Sequence, residues 1–141
     1  MVSFLLDTNV LSELRRGARA DARVVAWAGS VDPMLFHTSV IVIGELRRGV
    51  EMARRRDVVF GERLDAWLRE VVLILGNRVL SVDLAVATLW GRITAEGGAF
   101  AIDSLIAATA LRHDLILVTR NVKDMTRFAP AAILNPFEFE H

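Results

Sequence analysis

Cysteine is absent from the 141-residue chain, which excludes disulfide staples, thiol nucleophiles and cysteine-ligated zinc. The three histidines, His37, His113 and His141, are too scattered to suggest a zinc site. Lysine is nearly absent as well: Lys123 is the only one, so sixteen of the seventeen basic residues are arginine. There is no net charge, since seventeen basic residues balance seventeen acidic ones. That argues against a strongly basic nucleic-acid coat, although a neutral total can hide local patches. No apolar run approaches the roughly 20 residues needed to cross a bilayer. The opening run is cut at Asp7 and no leader is visible, so a cytoplasmic location is the default expectation. Hydrophobic residues make up 53% of the chain and charged residues 24%. That composition fills a core and excludes disorder, and the length suits a single domain over residues 1–141.

Val2 to Leu6 reads as a short buried strand closed by Asp7-Thr8-Asn9, where Thr8 or Asn9 can cap a helix running to about Arg16. A helix over Asp21 to Ala28, a strand over Met34 to Thr38 and a helix capped by Ser39 and running to about Arg56 follow. Phe60, Leu64, Trp67, Leu68 and Val71 return at helical spacing, predicting an amphipathic helix over Phe60 to Leu75 with Trp67 on its core or interface side. Val79 to Val82 is extended, and helices are expected over Asp83 to Ala95 and Ile102 to Arg112. Leu115 to Val118 is the plainest strand, and Ile133 to Asn135 the last. Strands alternating with helices predict an α/β chain with a parallel sheet covered on both faces. Its reactive groups are expected beyond the carboxyl ends of the strands.

The acids fall at those ends. Asp7 closes the first strand, and Asn121 and Asp124 follow the Leu115 to Val118 strand. Asp103 opens a helix that is otherwise small and apolar, and an ordinary N-cap explains it when taken alone. Glu45 sits in an apolar helix start, where a carboxylate is anomalous unless Arg47 or Arg48 pairs with it. Taken together, carboxylates converging at one end of a sheet repel one another unless something positive sits among them. A hard divalent cation fills that role, and Mg²⁺ and Mn²⁺ take oxygen ligands. No histidine stands as an obvious general base, which favours a metal-activated water.

Four segments then carry a resemblance. They are Phe4-Leu5-Leu6-Asp7-Thr8-Asn9-Val10-Leu11-Ser12-Glu13-Leu14; Thr38-Ser39 through Ile43-Gly44-Glu45-Leu46-Arg47-Arg48-Gly49; Ile102-Asp103-Ser104-Leu105-Ile106-Ala107-Ala108-Thr109-Ala110; and Leu117-Val118-Thr119-Arg120-Asn121-Val122-Lys123-Asp124-Met125. In this order and spacing the chain resembles the PIN-domain ribonucleases, most closely the VapC and FitB-like toxins of bacterial toxin–antitoxin pairs. The likeness runs from about Val2 to Phe137 and includes the Asn135-Pro136-Phe137 ending. It implies a three-layer α/β/α PIN-like fold around a parallel sheet of about four to five strands. It also implies RNA cleavage with Mg²⁺ or Mn²⁺ held by Asp7, Glu45 and Asp103, with Asp124 as a fourth acid. Thr8 and Thr119 match hydroxyl positions that hold the acids or contact the attacking water. Asn9 matches a residue that orients Asp7, and Asn121 stands where relatives have either Asp or Asn. The resemblance further implies a homodimer and a cognate antitoxin whose tail covers the groove and whose DNA-binding domain represses the operon, with room for a larger toxin–antitoxin assembly.

Two departures stand out: no proline precedes the third acid in Glu96-Gly97-Gly98-Ala99-Phe100-Ala101, and Met125 replaces a usual phenylalanine. Neither removes a metal ligand. Arg15, Arg16, Arg19 and Arg23 follow the first acid, and Arg47, Arg48, Arg54, Arg55 and Arg56 follow the second. These guanidiniums suit RNA phosphates, against the alternatives of codon bias in a GC-rich genome and, for Arg54 to Arg56, a solvated helix face. Glu51 and Glu62 offer partners to one of the other arginines. Competing readings fit less well. A phosphoacceptor domain needs a further acidic pair after the first strand, and an aspartyl-phosphate phosphatase needs Asp where Asn9 stands. A module that binds RNA or protein on this fold without turnover has no use for all three acids.

Overall fold

A computed structural model describes residues 2–96, 102–128 and 132–140. Its sheet is five-stranded and wholly parallel, with strands β1 (Phe4–Leu6), β2 (Phe36–Ser39), β3 (Val79–Leu80), β4 (Ile116–Val118) and β5 (Ile133–Leu134) in the order β3-β2-β1-β4-β5. Leu5 lies opposite His37 on one side and Leu117 on the other. The centre of the sheet is therefore the continuous apolar β1, all three residues of which are buried. Helices cover both faces, as a sheet buried on two sides requires.

The helices are α1 (Thr8–Arg15), α2 (Ala22–Gly29), α3 (Val40–Arg56), α4 (Val58–Leu75), α5 (Leu84–Thr94), α6 (Ile102–Arg112) and α7 (Val122–Thr126). Asp21, Ser39, Asp57 and Asp83 cap α2 to α5 through side-chain oxygens that accept backbone N–H groups left free in the first turn. α1 is capped by Asp7 and not by Thr8 or Asn9: the Asp7 carboxylate accepts the Thr8 N–H, and both expected caps lie inside the helix. Asp103 is not an N-cap either; it is the second residue of α6. The helix begins at Ile102 as expected, whereas the break expected at Gly97-Gly98 and the stretch ahead of the third acid fall outside the described residues.

Trp27 fixes α2 to the sheet, with its ring edge-on to Phe4 at 5.4 Å and tilted against Phe36 at 5.6 Å. α3 and α4 form a hairpin whose approach is set by Gly61, since a Cβ there would lie 2.6 Å from the Arg54 Cα. Beside that crossing Asp65 is buried, with Arg47, Arg54 and Arg69 at 2.8, 3.4 and 3.1 Å. The Arg47 guanidinium, ahead of Arg69, holds the Asp65 carboxyl below its ordinary range. Arg54 also pairs with Glu51 and Glu62, so it is not simply a solvated residue. Met125 is fully buried, and the exchange for phenylalanine stays within the core. Among the described residues, no helix is long and apolar enough to cross a membrane.

Candidate active site

The carboxyl ends of β1 and β4 lie side by side, tied by the Asp7 N–H donating to the Val118 carbonyl at 3.0 Å. This places Asp7 and Thr119 at equivalent positions one residue beyond their strands. Thr119 Oγ1 donates to Asp7 Oδ2 at 2.7 Å and accepts the Asn121 N–H at 3.0 Å. Asn9 Nδ2 donates to Thr119 Oγ1 at 3.2 Å and reaches Asp7 Oδ2 at 3.4 Å, while its Oδ1 accepts the Arg120 N–H at 3.0 Å. Neutral donors thus hold the Asp7 carboxylate from both strand ends.

The other acids arrive on helices. Glu45 lies one and a half turns into α3 and is half-buried, and Thr8 Oγ1 donates to its Oε1 at 2.6 Å. The apolar start of α3 is only partly covered: Val42 is buried, whereas Val40 is 40% exposed. Neither Arg47 nor Arg48 pairs with Glu45; Arg47 is held by Asp65 and Glu51. Asp103, on α6, accepts the Asn121 Nδ2 at 3.4 Å. Asp124, on α7, is exposed and forms no hydrogen bond to the other acids among the described residues.

The charges feel one another. Burial is the main force raising the Asp7 carboxyl above its ordinary range; Thr119 and the Thr8 N–H oppose it, and Asp103 and Glu45 add to it. Burial raises Asp103 in the same direction, with Asp124 second. Among the described residues none of the four acids is ion-paired with Arg, Lys or His. The donor set is oxygen only and negative, which suits a hard divalent cation. As placed, no three His, Asp or Glu side chains among the described residues stand close enough to share one ion.

Every expected supporting residue, Thr8, Asn9, Thr119 and Asn121, enters this network. Sequence reading missed the bond from the Arg120 backbone, which no side-chain pattern could signal.

A family model described as PIN domain matches residues 4–129. No curated protein matches the sequence. Among solved structures, the chain is similar to FitAcB from Neisseria gonorrhoeae, with 33% identity over 96% of this chain and 99% of that one and a TM-score of 0.80. It is similar also to a chain of FitAB bound to the IR36 DNA fragment, with 32% identity over 98% of both chains and a TM-score of 0.80. DNA-bound VapBC from Salmonella typhimurium shares the fold, with a TM-score of 0.77 at 24% identity over 96% of this chain and 99% of that one.

Proposed function

The chain belongs to the PIN-domain family, and from that membership we propose that it is a divalent-metal-dependent endoribonuclease acting as the toxin of a toxin–antitoxin pair. The observation that carries this reading is the Asp7 carboxylate. It is buried, flanked by Glu45 and Asp103, braced by Thr119 and lacks a cationic partner among the described residues. Such a group is costly unless a cation compensates it. Asp7, Glu45 and Asp103 would hold Mg²⁺ or Mn²⁺, with Asp124 as the acid at the rim. When bound, the cation supplies Lewis acidity that activates water and stabilises charge on the phosphodiester.

The chain's own residues do the positioning. Thr119 and Asn9 fix the rotamer of Asp7, Thr8 fixes Glu45, and the Asn121 amide steadies Asp103 without adding a further negative charge. These hydrogen bonds fix the rotamer of each acid before the acids close on the cation, which is where such outer hydrogen bonds act. The reaction is hydrolysis of an RNA phosphodiester that leaves a 5′-phosphate and a 3′-hydroxyl. A cognate antitoxin is the partner this reading assigns, in keeping with the toxin–antitoxin complexes that share this fold. A homodimer within a larger toxin–antitoxin assembly completes the reading.

The test is incubation of total RNA with the purified, antitoxin-free protein and Mg²⁺ or Mn²⁺, beside EDTA and Asp7→Asn controls. Discrete fragments that vanish in both controls support the proposal. Residual cleavage by Asp7→Asn would show that the reacting metal lies elsewhere. One observation favours a second reading, a module that binds RNA or protein without turnover: no three described acids converge as placed. That reading predicts binding with no metal-dependent fragments.

A further inference from the structure

Away from the acids, a cavity of about 610 Å³ opens between the C-terminal end of α1 and the N-terminal half of α4. Arg15, Arg16 and Arg19 line it from α1 and the 3₁₀ turn behind it, and Arg63, Phe60 and Trp67 from α4. Arg16 is committed to Glu13 at 3.1 Å. Arg15 lies over the Phe60 ring at 5.7 Å, a contact that leaves its charge unneutralised. Among the described residues, Arg15, Arg19 and Arg63 pair with no carboxylate, in contrast to Arg47, Arg54 and Arg69 around Asp65. In a chain of zero net charge, three uncompensated guanidiniums around one cavity form a local positive patch.

We infer that this cavity is a nucleotide subsite gripping a single-stranded stretch of the RNA that flanks the scissile bond. The inference rests on the ribonuclease reading above. A phosphodiester strand brought to a cluster of carboxylates is repelled there, so its affinity must come from cationic contacts elsewhere along its path. Arg15 lies eight residues beyond Asp7, about 12 Å along the helix at 1.5 Å per residue, or roughly three to four stacked nucleotides at 3.4 Å each. The chemistry matches at both ends of a nucleotide. Guanidinium forks take phosphate oxygens in pairs, and Phe60, 40% exposed, and half-buried Trp67 offer ring surface for bases. An acidic peptide would also satisfy the arginines, but it does not carry one flat group per charge, and along α4 the rings of Phe60 and Trp67 stand on either side of Arg63.

The test uses the full-length, antitoxin-free protein in EDTA and a dye-labelled, unstructured RNA oligonucleotide, with binding read by anisotropy across a salt series. Arg19→Ala/Arg63→Ala, at two exposed positions, should weaken binding at least about tenfold at low salt and flatten the slope of log K against log salt by about 1.4, two contacts at ~0.7 each. Phe60→Leu should weaken binding and leave the slope unchanged. Affinity and slope that match wild type in the double variant would overturn the subsite. So would an acidic peptide that binds through Arg19 and Arg63 without displacing the RNA, which would assign the cavity to a protein partner. Cleavage of total RNA by wild type is scored separately. Intact cleavage with arginine-independent binding refutes the subsite alone, whereas arginine-dependent binding with no cleavage under Mg²⁺ or Mn²⁺ refutes the ribonuclease reading and leaves the cavity a single-stranded RNA site with no scissile bond beside it.

Discussion

Replacing Thr119 by valine keeps the shape of a fully buried side chain and removes one hydroxyl. That hydroxyl donates to Asp7 at 2.7 Å and accepts from Asn121 N at 3.0 Å and Asn9 Nδ2 at 3.2 Å. A hydrogen bond to a charged acceptor contributes about 1.5–3 kcal/mol, and a neutral one about 0.5–1.5. The Asn121 N–H is only part-buried, so water recovers some of its loss. The net destabilisation of Thr119→Val should be about 2–4 kcal/mol, a large share of the roughly 5–15 kcal/mol typical of a domain. The dependence on pH is more diagnostic than the size. Burial raises the Asp7 carboxyl, and Thr119 is the foremost influence opposing that rise. Without Thr119 it rises further, so between the two native values the variant binds protons that wild type has released. Its deficit must therefore widen as pH rises through that interval and level off above it. Urea titrations of the metal-free protein at about pH 4 and about pH 8 would measure this. A deficit under about 1 kcal/mol, or one equal at both pH values, would mean that Thr119 does not carry the Asp7 charge.

Three further outcomes follow from the same geometry. The native Asp7 carboxyl is raised above its unfolded value, chiefly by burial. Metal-free wild type should therefore lose stability as pH rises through that raised value, and Asp7→Asn should flatten the loss in a series of melting temperatures. A dependence as steep in Asp7→Asn as in wild type would assign the loss to other groups. Gly61→Ala drives a methyl to 2.6 Å from the Arg54 backbone; overpacking of about 1–3 kcal/mol should exceed the ~1 kcal/mol that alanine gains in helix propensity. An unchanged or higher urea midpoint would refute it. Thr8→Val removes the 2.6 Å bond to Glu45 and should weaken Mn²⁺ binding about 10–100-fold, as loss of an outer-shell partner does. Calorimetric titration checks it, and unchanged affinity would show that Glu45 needs no such support.

Much of this molecule is local and therefore readable from order and spacing alone. A continuous apolar run makes β1 central, because only a strand covered on both faces can bury every residue. Ser39 capping α3, and the spacing that puts Glu45 one and a half turns inside it, depend on neighbours a few residues away. Parallel strands with their carboxyl ends together then gather Asp7, Thr119, Asn121 and Asp103 at one end of the sheet, as the alternation of elements requires. Tertiary structure decided what each polar group does there. Asp7 is 112 residues from Thr119 and Glu45 is 37 from Thr8. No propensity predicts that Glu45 takes a hydroxyl in place of Arg47 or Arg48, because Arg47 is drawn away by Asp65 across a helix crossing. That crossing exists because Gly61 lets two backbones touch. The arginines of α1 and the rings of α4 are, in sequence, two unremarkable helix faces, and they become one charged cavity only when the hairpin packs beside α1. Periodicity states which face of a helix is apolar; which charge meets which is a long-range property that packing alone decides.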